Sequence, residues 1–202
     1  MPGPYTDLQK EAMINQIISL NKGISEFWKN SAGWAPIEAA QLLSKSRLDW
    51  QVSLSKSLKL WEGTLDPDAK EGCLILAWAN LGALVEGTLK LFLSVYYEDY
   101  KKDIHIIRKK GKIIDPDIIE LEKLRLFFRD GIWLYEQMDW DDWILTIQQR
   151  RNAIHAFRNR QIGTFDEFFE DVEQYLTFLR EINSQLPYPD EGHIPREHWL
   201  KP

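Results

Sequence analysis

Apolar side chains recur along this chain at intervals of three and four residues, the spacing that puts them on one face of a helix. Met13, Ile17, Leu20, Ile24 and Phe27 mark a first such face. Trp50, Leu54, Leu58 and Trp61 mark a second, with the breaker "GWAP" between them. The alternating pattern of a strand is almost missing. A third helix is signposted by Asp66 as N-cap and Pro67 at the first helical position, where a missing N–H costs nothing. The same pair recurs as Asp115 and Pro116, which open a fourth at "DPDIIELEKL". A fifth starts at or near Asp139 and ends at Gly163, and "TFDE", Thr164 to Glu167, forms a capping box for a sixth. That last helix carries Phe168, Phe169, Val172, Tyr175, Leu176, Leu179 and Ile182 on its apolar side. The expected fold is all-α: a two-helix N-terminal extension over 1–65, a four-helix core over 66–186, and an extended Pro-rich tail over 187–202.

One segment, "CLILAWANLGALVEGTLKLFLSVYY" (73–97), is apolar enough to suggest a membrane span. Asn80, Glu86 and Lys90 interrupt it, and a charge near mid-bilayer costs ~3 kcal/mol. Glu86 and Lys90 stand four apart, close enough to pair on a helix. The segment therefore reads as the central buried helix of a bundle, and no membrane partner is expected. A single cysteine, Cys73, excludes an internal disulfide or a Cys-based zinc cluster and suggests a reducing compartment, the cytoplasm. The start, "MPGPYTDLQK", lacks the basic run and apolar core of a signal peptide. His193 and His198 in the tail have no matching ligand set, so neither metal nor cofactor is expected. A net charge of −6 argues against a surface coated for nonspecific nucleic-acid binding. Yet "KKDIHIIRKKGK" (101–112) holds six Lys or Arg against one Asp. Taken alone, such a run is a solvated loop.

The stretch "QQRRNAIHAFRNR" (148–160) changes that picture. On a helix at 100° per residue, Trp143, Ile147, Ile154 and Phe157 fall on one side with Arg150 among them. Arg151 and His155, four apart, stack on the flank. An arginine in an apolar stripe is costly unless an anion meets it. That anion is either a carboxylate of the same chain, such as Glu86, or a phosphate. The residue types suit RNA cleavage, in which a 2′-OH attacks the adjacent phosphate to leave a 2′,3′-cyclic phosphate and a 5′-OH. Histidine serves as acid or base near neutrality, and arginine offers a fork of donors to phosphate oxygens.

"RRNAIHAF" resembles the Arg-x(4–6)-His motif of HEPN domains, many of which are metal-independent ribonucleases of toxin–antitoxin, anti-phage and RNA-processing systems. Arg150 and His155 supply the spacing, and Asn152 resembles the polar residue usual after the arginine. The Arg151-Asn152 pair lies one residue closer to the histidine than in the commonest form, so the motif arginine is Arg150 or Arg151. Phe157 stands where members paired with a nucleotidyltransferase antitoxin often carry a modified tyrosine. The resemblance covers about 66–186. It implies a HEPN-like four-helix core and an endoribonuclease with Arg150, Arg151, Asn152 and His155 at its catalytic site, supported by Glu86. It also implies a homodimer whose motif helices face each other, with Trp143, Ile147 or Phe157 in contact, and a cognate antitoxin or defence-system partner. RNA would be held along Lys101, Lys102, Arg108, Lys109 and Lys110, with Arg158 and Arg160 extending the track. The rival expectation is a non-catalytic HEPN-like module that binds RNA, a nucleotide or a partner protein.

Overall fold

The computed structural model describes residues 5–63, 66–133 and 139–197. Eight α-helices carry most of them: α1 (Asp7–Trp28), α2 (Ile37–Lys45), α3 (Leu48–Ser57), α4 (Lys70–Val95), α5 (Tyr97–Lys102), α6 (Leu121–Gly131), α7 (Trp140–Arg151) and α8 (Phe165–Gln185). Among the described residues the only sheet is a two-stranded hairpin, β1 (Arg108–Lys109) with β2 (Lys112–Ile113). The helical character expected from the sequence is what the chain adopts.

Several helix starts sit where the sequence puts them. Thr164 and Glu167 close the expected capping box on α8, and Asp139 accepts the Asp142 N–H to cap α7. Asp66 caps a 3-10 turn, Pro67–Ala69, that runs directly into α4. Asp115 departs from expectation. Its carboxylate makes no cap bond and instead accepts the Tyr97 hydroxyl, so Pro116 opens only a 3-10 turn and α6 begins at Leu121.

The N-terminal region also departs from expectation, holding three α-helices rather than two. The additional one, α2, buries only Ala39, Ala40 and Leu43, a face too short and too alanine-rich to stand out as a periodic pattern. Leu58 and Trp61, expected on a helix face, lie in a 3-10 turn, and Trp50 is exposed. This region shares its core with the rest of the chain: Ile14, Ile17, Ile24 and Leu58 join one cluster with Trp78, Leu84, Phe128, Ile144 and Tyr175. Buried polar bonds stitch the helices together. Asn21 Nδ2 donates to Ser55 Oγ at 2.8 Å, and Gln51 Nε2 donates to the Leu84 carbonyl at 2.7 Å. A buried polar group left without such a partner would cost ~1–3 kcal/mol.

The described part of the tail, 187–197, holds one 3-10 turn, Glu191–His193, and returns across α1 and α8. The Trp28 indole N–H donates to the Tyr188 hydroxyl at 3.2 Å, and Asn183 Nδ2 donates to the Pro195 carbonyl at 3.2 Å. A Cβ at Gly23 would lie 2.7 Å from the Pro195 side chain, so glycine there lets the tail lie flat on α1. His193 pairs with Asp190 at 2.8 Å, whereas His198 lies outside the described residues.

At the centre runs α4. By length and composition Pro67–Val95 is apolar enough to cross a membrane, but more than half of its most apolar 18 residues are buried inside the fold. Asn80, the polar residue that interrupts it, accepts from Ser57 and the Trp61 indole and donates to the Leu54 carbonyl. Glu86 and Lys90 form the expected i,i+4 pair at 2.7 Å. With α3, α7 and α8 packed around it, α4 is the core helix on which the candidate site is built.

Candidate functional site

The helix expected to run unbroken from Asp139 to Gly163 stops at Arg151. Residues 152–155 tighten into a 3-10 turn, and Ala156 then takes a left-handed conformation with φ 54°. Ile154 and Phe157 find no core to enter, and the run "RNRQ" (158–161) offers no apolar side chain to bury, so a further turn of helix would gain little packing. The apolar face drawn through Ile154 and Phe157 is therefore corrected: they are 48% and 101% exposed. Trp143 and Ile147 do face inward, in this chain's own core. Gly163, with φ 68°, ends no helix; it lies against α8, where a Cβ would meet the Glu167 carboxylate at 2.6 Å.

Consecutive helical residues point 100° apart, and α7 uses that angle to send its two arginines to different neighbours. Arg150 turns to α8, with Nη1 donating to Asp171 at 2.9 Å, Nη2 to Glu167 at 2.9 Å, and the guanidinium stacked 4.6 Å from the Trp78 ring centroid. Burial raises the Asp171 pKa, against the lowering effects of the Trp143 indole bond and the Arg150 charge. Arg151 turns to α4, with Nη1 donating to Glu86 at 2.6 Å and to the Gly82 carbonyl at 3.3 Å. The pair anticipated between Arg150 and Glu86 is thus made by Arg151. A Cβ at residue 82 would sit 2.5 Å from Arg151 Cδ, so only glycine lets this side chain lie on α4.

Arg151, Asn152 and His155 form one wall of a groove of about 400 Å³ whose floor is the α4 face bearing Ala79, Ala83, Glu86, Gly87 and Lys90. The Glu86 carboxylate lies between Arg151 and Lys90, at 2.6 and 2.7 Å. Burial pushes its pKa up, but the bonds from Lys90 and Arg151 outweigh that and hold it below the ordinary carboxylate value. Asn152 and His155 make no side-chain hydrogen bond to any described residue, which leaves an amide and an imidazole free at the groove edge.

Of the four expected catalytic residues, the structure brings together Arg151, Asn152 and His155, with Glu86 beside them, and leaves out Arg150. The basic run lines no part of this groove. Lys101 pairs with Glu38 and stacks 5.1 Å from the Tyr97 ring centroid, and Lys102 ends α5. Arg108 and Lys109 form β1, and Lys110 and Gly111, with φ 51° and 80°, make the two-residue turn of the hairpin. This segment follows α4, whose axis alone carries the chain roughly 14 Å from Glu86 to its last residue at 1.5 Å per residue. Arg158 and Arg160 lie in the coil before α8 and do not line the groove either.

Lys90 and Gly82 are site residues that sequence reasoning did not assign. The signal for Lys90 was a charged pair inside an apolar helix; nothing in the sequence alone singles out Gly82. Among the described residues no three His, Cys, Asp or Glu side chains gather as a metal-ligand set. No protein-family profile, curated protein or solved structure matches the chain.

Proposed function

We propose that the chain is an endoribonuclease that cleaves single-stranded RNA in the groove beside α4, with chemistry like that of the HEPN ribonucleases its motif resembles. The observation that carries this reading is the convergence of Arg151, Asn152 and an unpartnered His155 on one groove. Phosphodiester cleavage needs a base for the 2′-OH, an acid for the departing 5′-oxygen and positive charge on the phosphorane. His155 serves as the base or the acid. Arg151, with Nε and Nη2 left over after its bond to Glu86, and Lys90 face the phosphate oxygens. Asn152 orients the strand or the arginine. One groove holds one histidine, so the second proton carrier comes from a second copy of the chain across a two-fold axis. A toxin–antitoxin or anti-phage setting, with its cognate partner, rests on the motif alone.

One observation favours the rival, a non-catalytic RNA-binding module. The arginine at the family spacing, Arg150, is held by two carboxylates of α8, outside the groove.

Incubation with end-labelled single-stranded RNA in EDTA decides between them. The nuclease reading expects fragments ending in 2′,3′-cyclic phosphate and 5′-hydroxyl. RNA that is bound but left intact selects the rival, and 5′-phosphate products overturn the mechanism.

A further inference from the structure

Arg151 and Lys90 would give the groove two fixed positive charges, but Glu86 lies bonded to both, so the trio carries one net positive charge. We propose that Glu86 tunes the charge preference of the groove, cancelling one cation and so halving the Coulomb advantage that the double charge of a terminal phosphate has over the single charge of an internal phosphodiester. The inference rests on the RNA-cleaving reading and deepens it.

Two features make Glu86 a fixed element of the site. It is bonded on both sides and only 19% exposed, so it has little freedom to swing out of the way when a ligand arrives. Gly82 lets Arg151 lie along α4, and the Gly82 carbonyl holds Nη1 beside the carboxylate. The one charge left over still attracts a dianion more than a monoanion, but by half the margin that two uncancelled cations would give. A phosphomonoester brings a second negative charge that meets the Glu86 carboxylate with no further cation to offset it. Because Coulomb energy scales with ligand charge, Glu86 costs the dianion about twice the free energy it costs the monoanion.

The test compares two probes at about pH 8, where a phosphomonoester is dianionic. One is a 2′-O-methyl dinucleotide with unphosphorylated ends, which carries a single uncleavable diester; the other is the nucleoside 5′-monophosphate of the same base. Both probes are expected to bind wild type and to shift the His155 ring resonances. Glu86→Gln keeps an oxygen acceptor for Arg151 and should strengthen the monophosphate by about tenfold more than the diester. Should that variant not fold by circular dichroism, Lys90→Met tests the same charge count from the other side. Both probes then weaken, the monophosphate by roughly the square of the diester's factor. Equal changes for the two probes, or a larger gain for the diester, overturn the proposal. RNA cleavage with equal changes removes only the role of Glu86, whereas the expected changes without RNA cleavage remove only the nuclease reading. Failure to bind either probe removes both.

Discussion

Arg150 and Arg151 share a peptide bond yet are anchored to different helices: Arg150 to Asp171 of α8 at 2.9 Å, Arg151 to Glu86 of α4 at 2.6 Å. The first bond ties α7 to α8 and stabilises the bundle; the second places a guanidinium in the groove. Two basic residues in a row are thereby divided into one that braces the bundle and one that faces the groove.

That division has a measurable consequence. Arg150→Ala removes both α8 contacts and the stacking on Trp78, leaving Asp171 only the Trp143 indole bond, and should destabilise the fold by ~2–3 kcal/mol in urea denaturation, somewhat less than breaking a fully buried pair. Arg151→Ala leaves Glu86 paired with Lys90 and should cost only about 1 kcal/mol while abolishing cleavage. Equal stability losses, or cleavage surviving in folded Arg151→Ala, would reverse the assignment.

The sequence showed where helices begin more reliably than where they end. N-caps are local chemistry, so Thr164 with Glu167, Asp139 and Asp66 could be read from neighbours three residues away or fewer. The end of α7 depended on whether Ile154 and Phe157 find a core to enter, and that is decided by distant parts of the chain. The periodic pattern held for every α8 position singled out, from Phe168 to Ile182, because those residues meet a core on each turn. The site was half legible. Arg, Asn and His were visible as a cluster, but which arginine faces α4 depends on where α4 packs against α7. The charges of the basic run were visible as well, yet composition carries no information on how far that run folds from the groove.

Ala156 holds a left-handed conformation next to His155, where a Cβ is disfavoured. Ala156→Gly should therefore raise stability by about 0.5–1 kcal/mol, measured by thermal or urea unfolding. The same change frees the turn that aims His155, so turnover should fall while RNA affinity holds. A loss of stability would show that the left-handed turn is not where the strain lies.

Two part-buried carboxylates should respond to pH in opposite directions. The folded pKa of Glu86 is lowered, so its contribution to stability is full above its unfolded value, about 4.3, and is lost as pH falls through the folded value. Asp171 is raised, chiefly by burial, so its contribution is full below its unfolded value, about 3.9, and is lost as pH rises through the folded one. Between about pH 7 and about pH 3, the stability gap between wild type and Glu86→Gln should shrink and that between wild type and Asp171→Asn should widen. Gaps that move together would mean that the two carboxylates are not in the environments described.

The last prediction concerns the second copy of the chain. Trp143 and Ile147, expected at the dimer contact, are committed to this chain's own core, and Trp143 also donates to Asp171 at 2.9 Å. The apolar surface left beside His155 is Ile154 and Phe157. An interface that brings two His155 side chains to one phosphate would rest on these residues, with the motif turns facing across a two-fold axis. Phe157 is fully exposed in the single chain, so Phe157→Asp should leave unfolding stability unchanged at low concentration. It should also convert a dimer to a monomer by light scattering and abolish cleavage. His155→Ala should fold, dimerise and fail to cleave. Mixing wild type with excess His155→Ala chains, under conditions that exchange subunits, should then suppress activity more steeply than dilution, because each heterodimer has an acid without a base or a base without an acid. Activity that instead follows wild-type homodimers plus half-active heterodimers would mean that each chain cleaves alone. A monomer that cleaves RNA would remove the shared site altogether.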